Sequence, residues 1–176
     1  MRNWQTAIVV AGLVAGTTPI FAEEPVTADE IIAKVREAAA YLAKEGEAGL
    51  ATFDRTDSDF VWKDSYIFVY DCDSDVIAAH PVAASRDAII SELRGGDGGD
   101  FGNVLCAAAE PDGGSWAEYD WLRPVAEAGT DGLVYHDVHA RKVSYMLAVE
   151  GTPWQVGAGM FDEDTSIESL NTLLAQ

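Results

Sequence analysis

Three histidines (His80, His136 and His139), two cysteines (Cys72 and Cys106) and the carboxylates Asp71, Asp73 and Asp75 are where this 176-residue chain could hold a metal or a reactive group. Each would need partners at a fixed spacing. There is no G-x-S-x-G elbow, no H-E-x-x-H pair and no phosphate-binding P-loop, so the familiar hydrolases find no support. His136-x-x-His139 has the donors for a metal but falls in a predicted loop without an obvious third ligand. Asp71-x-Asp73-x-Asp75 begins like a calcium loop. It then places Val76 where the turn needs glycine and Val82 where a bidentate glutamate should stand, so a solvated hairpin turn is expected instead. The expectation is a protein that catalyses nothing and carries no cofactor or metal.

The two cysteines are not part of a C-x-x-C or C-x-x-C-H motif, which argues against thioredoxin-like redox chemistry, a zinc ribbon and covalent haem. In an oxidising compartment a Cys72–Cys106 disulfide is expected, closing a loop of about 35 residues, with two buried free thiols as the alternative. The compartment is suggested by the first residues. Arg2 precedes an apolar run from Ala7 to Ala15, too short for the roughly 20 residues of a membrane span, and Pro19 and Ala22 lead into Glu23-Glu24. Residues 1–22 read as a cleaved signal peptide, with an uncleaved anchor as the alternative, and residues 23–176 as a single domain. The expected location is periplasmic or secreted. The composition, 48% hydrophobic and 23% charged, is that of a globular chain. The formal charge of −19, or −20 without Arg2, disfavours nucleic acid and anionic lipid as partners. It suits a solvated acidic surface, and adaptation to saline surroundings is a further reading.

The elements follow from periodicity and breakers. Thr27-Ala28-Asp29-Glu30 forms a capping box. Ile31, Val35, Ala38, Ala39, Leu42, Gly46 and Leu50 then recur at three- and four-residue spacing, predicting a long helix over about 28–52 that Gly46 or Gly49 ends or kinks. Ser65–Cys72 reads as a central strand and Val76–His80 as its hairpin partner. A short helix is expected over Ser85–Leu93, and a second after the Asp100 cap, from Phe101 to Glu110. Ser115–Trp121, Lys142–Val149 and Trp154–Phe161 read as strands. Residues 123–139 read as a long loop with a possible edge strand at Leu133–Tyr135. Asp164 caps a closing helix. Strands joined by short turns should pair antiparallel beneath covering helices, which makes this an α+β domain.

Several of these segments, in this order, resemble the single Cache domain family, in particular its stand-alone exported members. They are Tyr66–Cys72, Ala79-His80-Pro81, Gly114-Ser115-Trp116-Ala117-Glu118-Tyr119-Asp120-Trp121, Lys142-Val143-Ser144-Tyr145 and Val156–Asp162. The resemblance covers about residues 28–175. It implies a PAS-like antiparallel sheet of about five strands, a long N-terminal helix and short covering helices. It also implies extracytoplasmic binding of a small molecule, often a small carboxylate, in the setting of chemoreceptors and histidine kinases. In two respects the chain departs from the family. A longer segment, Leu122–Ala140, replaces a short proline-glycine connection and is expected to reshape the pocket rim. No transmembrane helix or signalling domain follows Gln176, so a soluble carrier or an adaptor docking to a membrane receptor or histidine kinase is expected.

A ligand pocket on such a sheet needs aromatic walls, and an anionic ligand needs a cation or a cluster of donors. The candidate ligand-binding residues are Tyr66, His80, Trp116, Tyr119, Trp121, Lys142 and Tyr145, with Arg123 and Arg141 as further cations near the matched strands. Strand alternation puts Tyr66, Phe68 and Tyr70 on one face, and separates Trp116 from Tyr119 and Trp121, so these aromatics cannot all line one pocket. For each of them the competing role is packing in the core. The expected function is a sensor module for a small organic acid or similar metabolite. The alternative is a structural or protein-interaction module that docks to a receptor without a small ligand.

Overall fold

A computed structural model describes residues 24–129 and 132–175. The signal peptide expected at residues 1–22 lies outside the described residues. Helix α1 spans Ala28–Glu45 and starts as the capping box requires: the Thr27 hydroxyl accepts from the Glu30 N–H, and the Glu30 carboxylate accepts from the Thr27 N–H. The helix expected to reach residue 52 breaks at Gly46, whose φ of 62° is accessible to glycine at little cost. A 3-10 turn, Gly46–Gly49, and the single-turn helix α2, Leu50–Phe53, carry the chain onward.

Strands β1 (Val61–Trp62) and β2 (Ser65–Tyr66) form a small antiparallel pair. The main sheet contains β3 (Phe68–Asp71), β4 (Val76–Ala79), β5 (Ser115–Ala126), β6 (Leu133–Ala148) and β7 (Trp154–Phe161). Its order is β4-β3-β7-β6-β5 and every neighbouring pair is antiparallel. The stretch 65–72, read as one central strand, is therefore divided. Its first residues pair with β1, and β7 takes the centre of the sheet.

Both faces of the sheet are covered, and they differ in character. Val69, Val143, Tyr145, Val156, Ala158 and Trp116 meet the apolar stripe of α1, Ile31, Val35, Ala38 and Leu42. The closing helix α4, Ile167–Leu173, also packs there through Leu170, and its N-cap is the Ser166 hydroxyl rather than the expected Asp164. The opposite face presents Tyr66, Phe68, Tyr70, Ala117 and Met146 to helix α3, Phe101–Ala109. On this face the central strand carries glycine. A Cβ at Gly157 would lie 2.2 Å from the Met146 sulfur, and one at Gly159 would lie 2.1 Å from Ser144 Oγ and 2.5 Å from the Val143 carbonyl. The bare strand gives Phe68, Met146 and Lys142 room to lie across it.

Two further expectations change. The helix predicted at 85–93 is a pair of 3-10 turns, Ala83–Ser85 and Ile90–Glu92, because Asp87 adopts a left-handed φ of 60° between them. The loop predicted at 123–139 is instead the outer half of a long β5–β6 hairpin. Its register slips between Leu122 and Pro124, where proline offers no N–H to the ladder, and β5 tolerates this as an edge strand. Cys72, just beyond β3, and Cys106, on α3, are joined in a disulfide. The bond staples α3 to the sheet. Replacing both cysteines by serine is expected to lower the unfolding free energy by about 4 kcal/mol. It should also speed amide exchange across residues 101–109. Chemical denaturation and hydrogen exchange of the double variant check both, and unchanged stability would mean the helix is held by its packing alone.

Candidate functional site

Between the second face of the sheet and α3 lies a cavity whose walls come from five separate parts of the chain. The β2–β3 segment supplies Tyr66, Phe68 and Tyr70; the β4 region supplies Ile77 and His80; the 3-10 turns supply Ser85 and Leu93; α3 supplies Phe101; the β5–β6 hairpin supplies Tyr119, Trp121, Tyr135 and Lys142. Of the seven residues expected to bind ligand, Tyr66, His80, Tyr119, Trp121 and Lys142 converge here. Trp116 and Tyr145 do not. They pair across β5 and β6 on the opposite face, with ring centroids 5.8 Å apart, beneath α1. Strand parity accounts for both: Trp116 lies three residues from Tyr119, and Tyr145 lies three from Lys142. Arg141 points the other way as well, pairing with Glu118 and donating to the Asp162 and Thr165 carbonyls. His136 and His139 form no metal site. His139 pairs with Asp120, and no cluster of metal-binding side chains occurs among the described residues.

Lys142 dominates the electrostatics of the cavity. Its side chain is buried, with the residue 2% exposed. The ammonium donates to the Tyr66 hydroxyl at 3.2 Å and lies 4.5 Å from the Tyr66 ring centroid, 5.7 Å from that of Phe68 and 5.5 Å from that of Phe161. Among the described residues no carboxylate is within ion-pair distance of it. Cation–π contacts return part of the lost hydration, but a buried cation without a counter-ion remains costly. Burial accordingly pulls its pKa down to about 7, against a weaker upward pull from Asp64.

The groups facing the ammonium are neutral hydrogen-bonding side chains. His80 Nδ1 accepts from the Val82 N–H at 2.9 Å, which leaves the proton of the neutral ring on Nε2. Burial first, then Lys142, hold the His80 pKa at about 3, so the ring stays uncharged at physiological pH. Asp54 accepts from the His80 N–H and pairs with Arg86, whose guanidinium donates to the His80 carbonyl, so the histidine backbone is clamped. Burial pushes the Tyr66, Tyr70 and Tyr119 hydroxyls upward. The Tyr119 and Ser144 hydroxyls share a hydrogen bond at 3.0 Å.

Tyr135, Phe101 and Ser85 were missed in the sequence. Tyr135 reaches in from the hairpin arm, shares a 2.5 Å hydrogen bond with the Ser85 hydroxyl, and packs edge-on against Trp121 with centroids 5.2 Å apart. Phe101 stacks on Tyr119, centroids 4.9 Å apart and rings 13° from parallel. With these rings in place the free space is about 20 Å3, room for about one water molecule. The several hundred Å3 usual for a ligand pocket are filled by the protein's own side chains.

No protein-family model matches the sequence, and no curated protein does. Solved structures match the fold. One is a methyl-accepting chemotaxis protein from Vibrio parahaemolyticus RIMD 2210633, 15% identical, with 76% of this chain and 86% of that chain covered and a TM-score of 0.57. Another is a Cache chemosensory domain described as showing the structural basis for carboxylic acid recognition. It is 18% identical, with 77% of this chain and 93% of that chain covered, and the TM-score is again 0.57. This chain therefore has the fold of a Cache-type sensor domain.

The Lys142 pKa has a consequence for stability. Its folded value, about 7, lies below its ordinary 10.5. Between those values the unfolded chain binds more protons, so this residue makes the fold more stable as pH rises, and its penalty is fully present below pH 7. Substituting Lys142→Met should raise the melting temperature at pH 6 by an amount corresponding to on the order of a few kcal/mol. The gain should be much smaller at pH 9.5. Thermal unfolding of both proteins at the two pH values checks this, and a larger gain at pH 9.5 would contradict it.

Proposed function

We propose that this chain is an extracytoplasmic sensor module that binds a small organic acid with its carboxylate on Lys142. The observation that carries this reading is the buried ammonium without an anionic partner among the described residues. A core built only for packing gains nothing from such a group, whereas a carboxylate guest would supply the missing charge. Tyr66, His80 through Nε2–H, and Tyr119 offer neutral donors beside it, and Trp121 offers an aromatic wall. The guest enters when Tyr135 leaves its bond to Ser85, which turns filled space into a pocket. Ligand binding in this scheme moves the β5–β6 arm. That movement is what a membrane receptor or histidine kinase would read. The disulfide, the signal-peptide reading of residues 1–22 and the likeness to chemotaxis-protein structures support a place outside the cytoplasm. No helix of the described residues is long and apolar enough to cross a membrane. The sensor reading needs no catalysis.

The filled cavity favours a second reading, a module that docks to a receptor without any small ligand. Ligand binding separates the two. Acetate, propionate and other two- to four-carbon carboxylates are expected to raise the melting midpoint at pH 6, and Lys142→Met is expected to abolish the effect. Only the protonated lysine attracts the anion, so with the site titrating near pH 7 the affinity should be about a hundredfold weaker at pH 9 than at pH 6. His80, Tyr66 and Tyr119 remain neutral throughout this range. Calorimetric titration at both pH values measures the ratio. If no carboxylate moves the midpoint of the unaltered protein, the docking-module reading stands instead.

A further inference from the structure

A second, outer groove lies behind the Tyr66 ring. It has a volume of about 200 Å3, and Val61, Tyr66, Pro124, Val125, Leu133 and Phe161 form its apolar walls, between the β1–β2 pair and the hairpin arm. Its charged residues are Lys63, Asp64 and Arg123. Lys63 is ion-paired with Glu30 at 2.6 Å, and Asp64 Oδ1 accepts from the Val26 N–H at 3.1 Å. Arg123 has no carboxylate partner among the described residues. Its guanidinium lies 4.3 Å from the centroid of Phe161, which fixes it at the groove wall with its N–H edges available.

That isolation is unusual for this chain, where 30 acidic residues surround 11 lysines and arginines. Seven of those cations, Lys34, Lys44, Lys63, Arg55, Arg86, Arg94 and Arg141, hold carboxylates. Among the described residues Arg36, Arg123 and Lys142 have no carboxylate ion pair; Arg36 donates to the Leu174 carbonyl, whereas Arg123 and Lys142 both contact the same Phe161 ring. The groove thus combines apolar walls, the Asp64 carboxylate held by the Val26 N–H, and one planar cation outside any ion pair among the described residues, able to take a carboxylate through two parallel N–H bonds.

We propose that this outer groove is a second binding site, distinct from the inner cavity, for an apolar monoanion such as a medium-chain carboxylate. The alkyl part lies along Val61, Val125 and Leu133, and the carboxylate pairs with Arg123. A short acid at Lys142 and a longer one in the groove would meet on the two sides of Tyr66, so their occupancies would be linked through that ring.

Titration of the full chain with octanoate, and with 1-octanol as its uncharged counterpart, tests the assignment. Octanoate is expected to bind at least fivefold more tightly than 1-octanol. Arg123→Gln should remove that advantage, and Val125→Asp should weaken both compounds. Lys142→Met should leave octanoate affinity within about twofold, which separates this site from the inner one. Because Arg123 and Val125 are exposed, unchanged melting temperatures are expected to show that the variants fold. Equal binding of the two compounds, no binding at all, or octanoate binding lost in Lys142→Met but retained in Arg123→Gln would each overturn the proposal.

Discussion

An ammonium group withdrawn from water, with no carboxylate of the described residues beside it, is the constraint around which one face of this sheet is organised. Lys142 is tolerated because three aromatic rings and the Tyr66 hydroxyl surround it, and because burial lowers the cost of losing its proton. The bare surface of β7 follows from the same demand. Side chains at Gly157 or Gly159 would occupy the space that Met146, Phe68 and the Lys142 stem now use. The disulfide and α3 then close the face, with Phe101 pressed against Tyr119 and Trp121.

The opposite face has no such tension. Aliphatic residues of α1 meet aliphatic and aromatic residues of four strands, and the hydrophobic effect accounts for their order without a functional argument. This division of labour, with one face for stability and one for a polar cluster, lets the cavity side carry a destabilising lysine while the fold persists. It also brings the hairpin arm to the wall of the cavity. Tyr135 completes the cavity from the hairpin arm through hydrogen bonds with Ser85 and His80 Nε2 and ring contacts with Trp121 and His80.

Much of the cavity was legible in single residues but not in their assembly. Period-two alternation separates Trp116 from Tyr119 and Trp121, and the same parity applied to β6 separates Tyr145 from Lys142. The hairpin arm hid Tyr135. Pro124 interrupts the strand pattern, and the arm's exposed side chains, His136, Asp137, Val138 and His139, show no apolar alternation because neither face of the arm is deeply buried. Ser85 stood in a stretch whose apolar spacing suggested a helix, and nothing local announced the left-handed turn at Asp87.

Local chemistry by itself determined the capping box of α1, the apolar stripe behind it, the turn at Asp73–Asp75 and the sides of each strand, because these depend only on neighbours within a few residues. The cysteine count and the motif absences bounded the chemistry equally early. Tertiary structure alone decided that neither Lys142 nor Arg123 has a carboxylate partner among the described residues, and that a ring from a distant hairpin joins the lining of the cavity. Charge pairing and free volume are properties of what the whole chain brings together, and strand order and hairpin reach set both of them over separations that no sequence window spans.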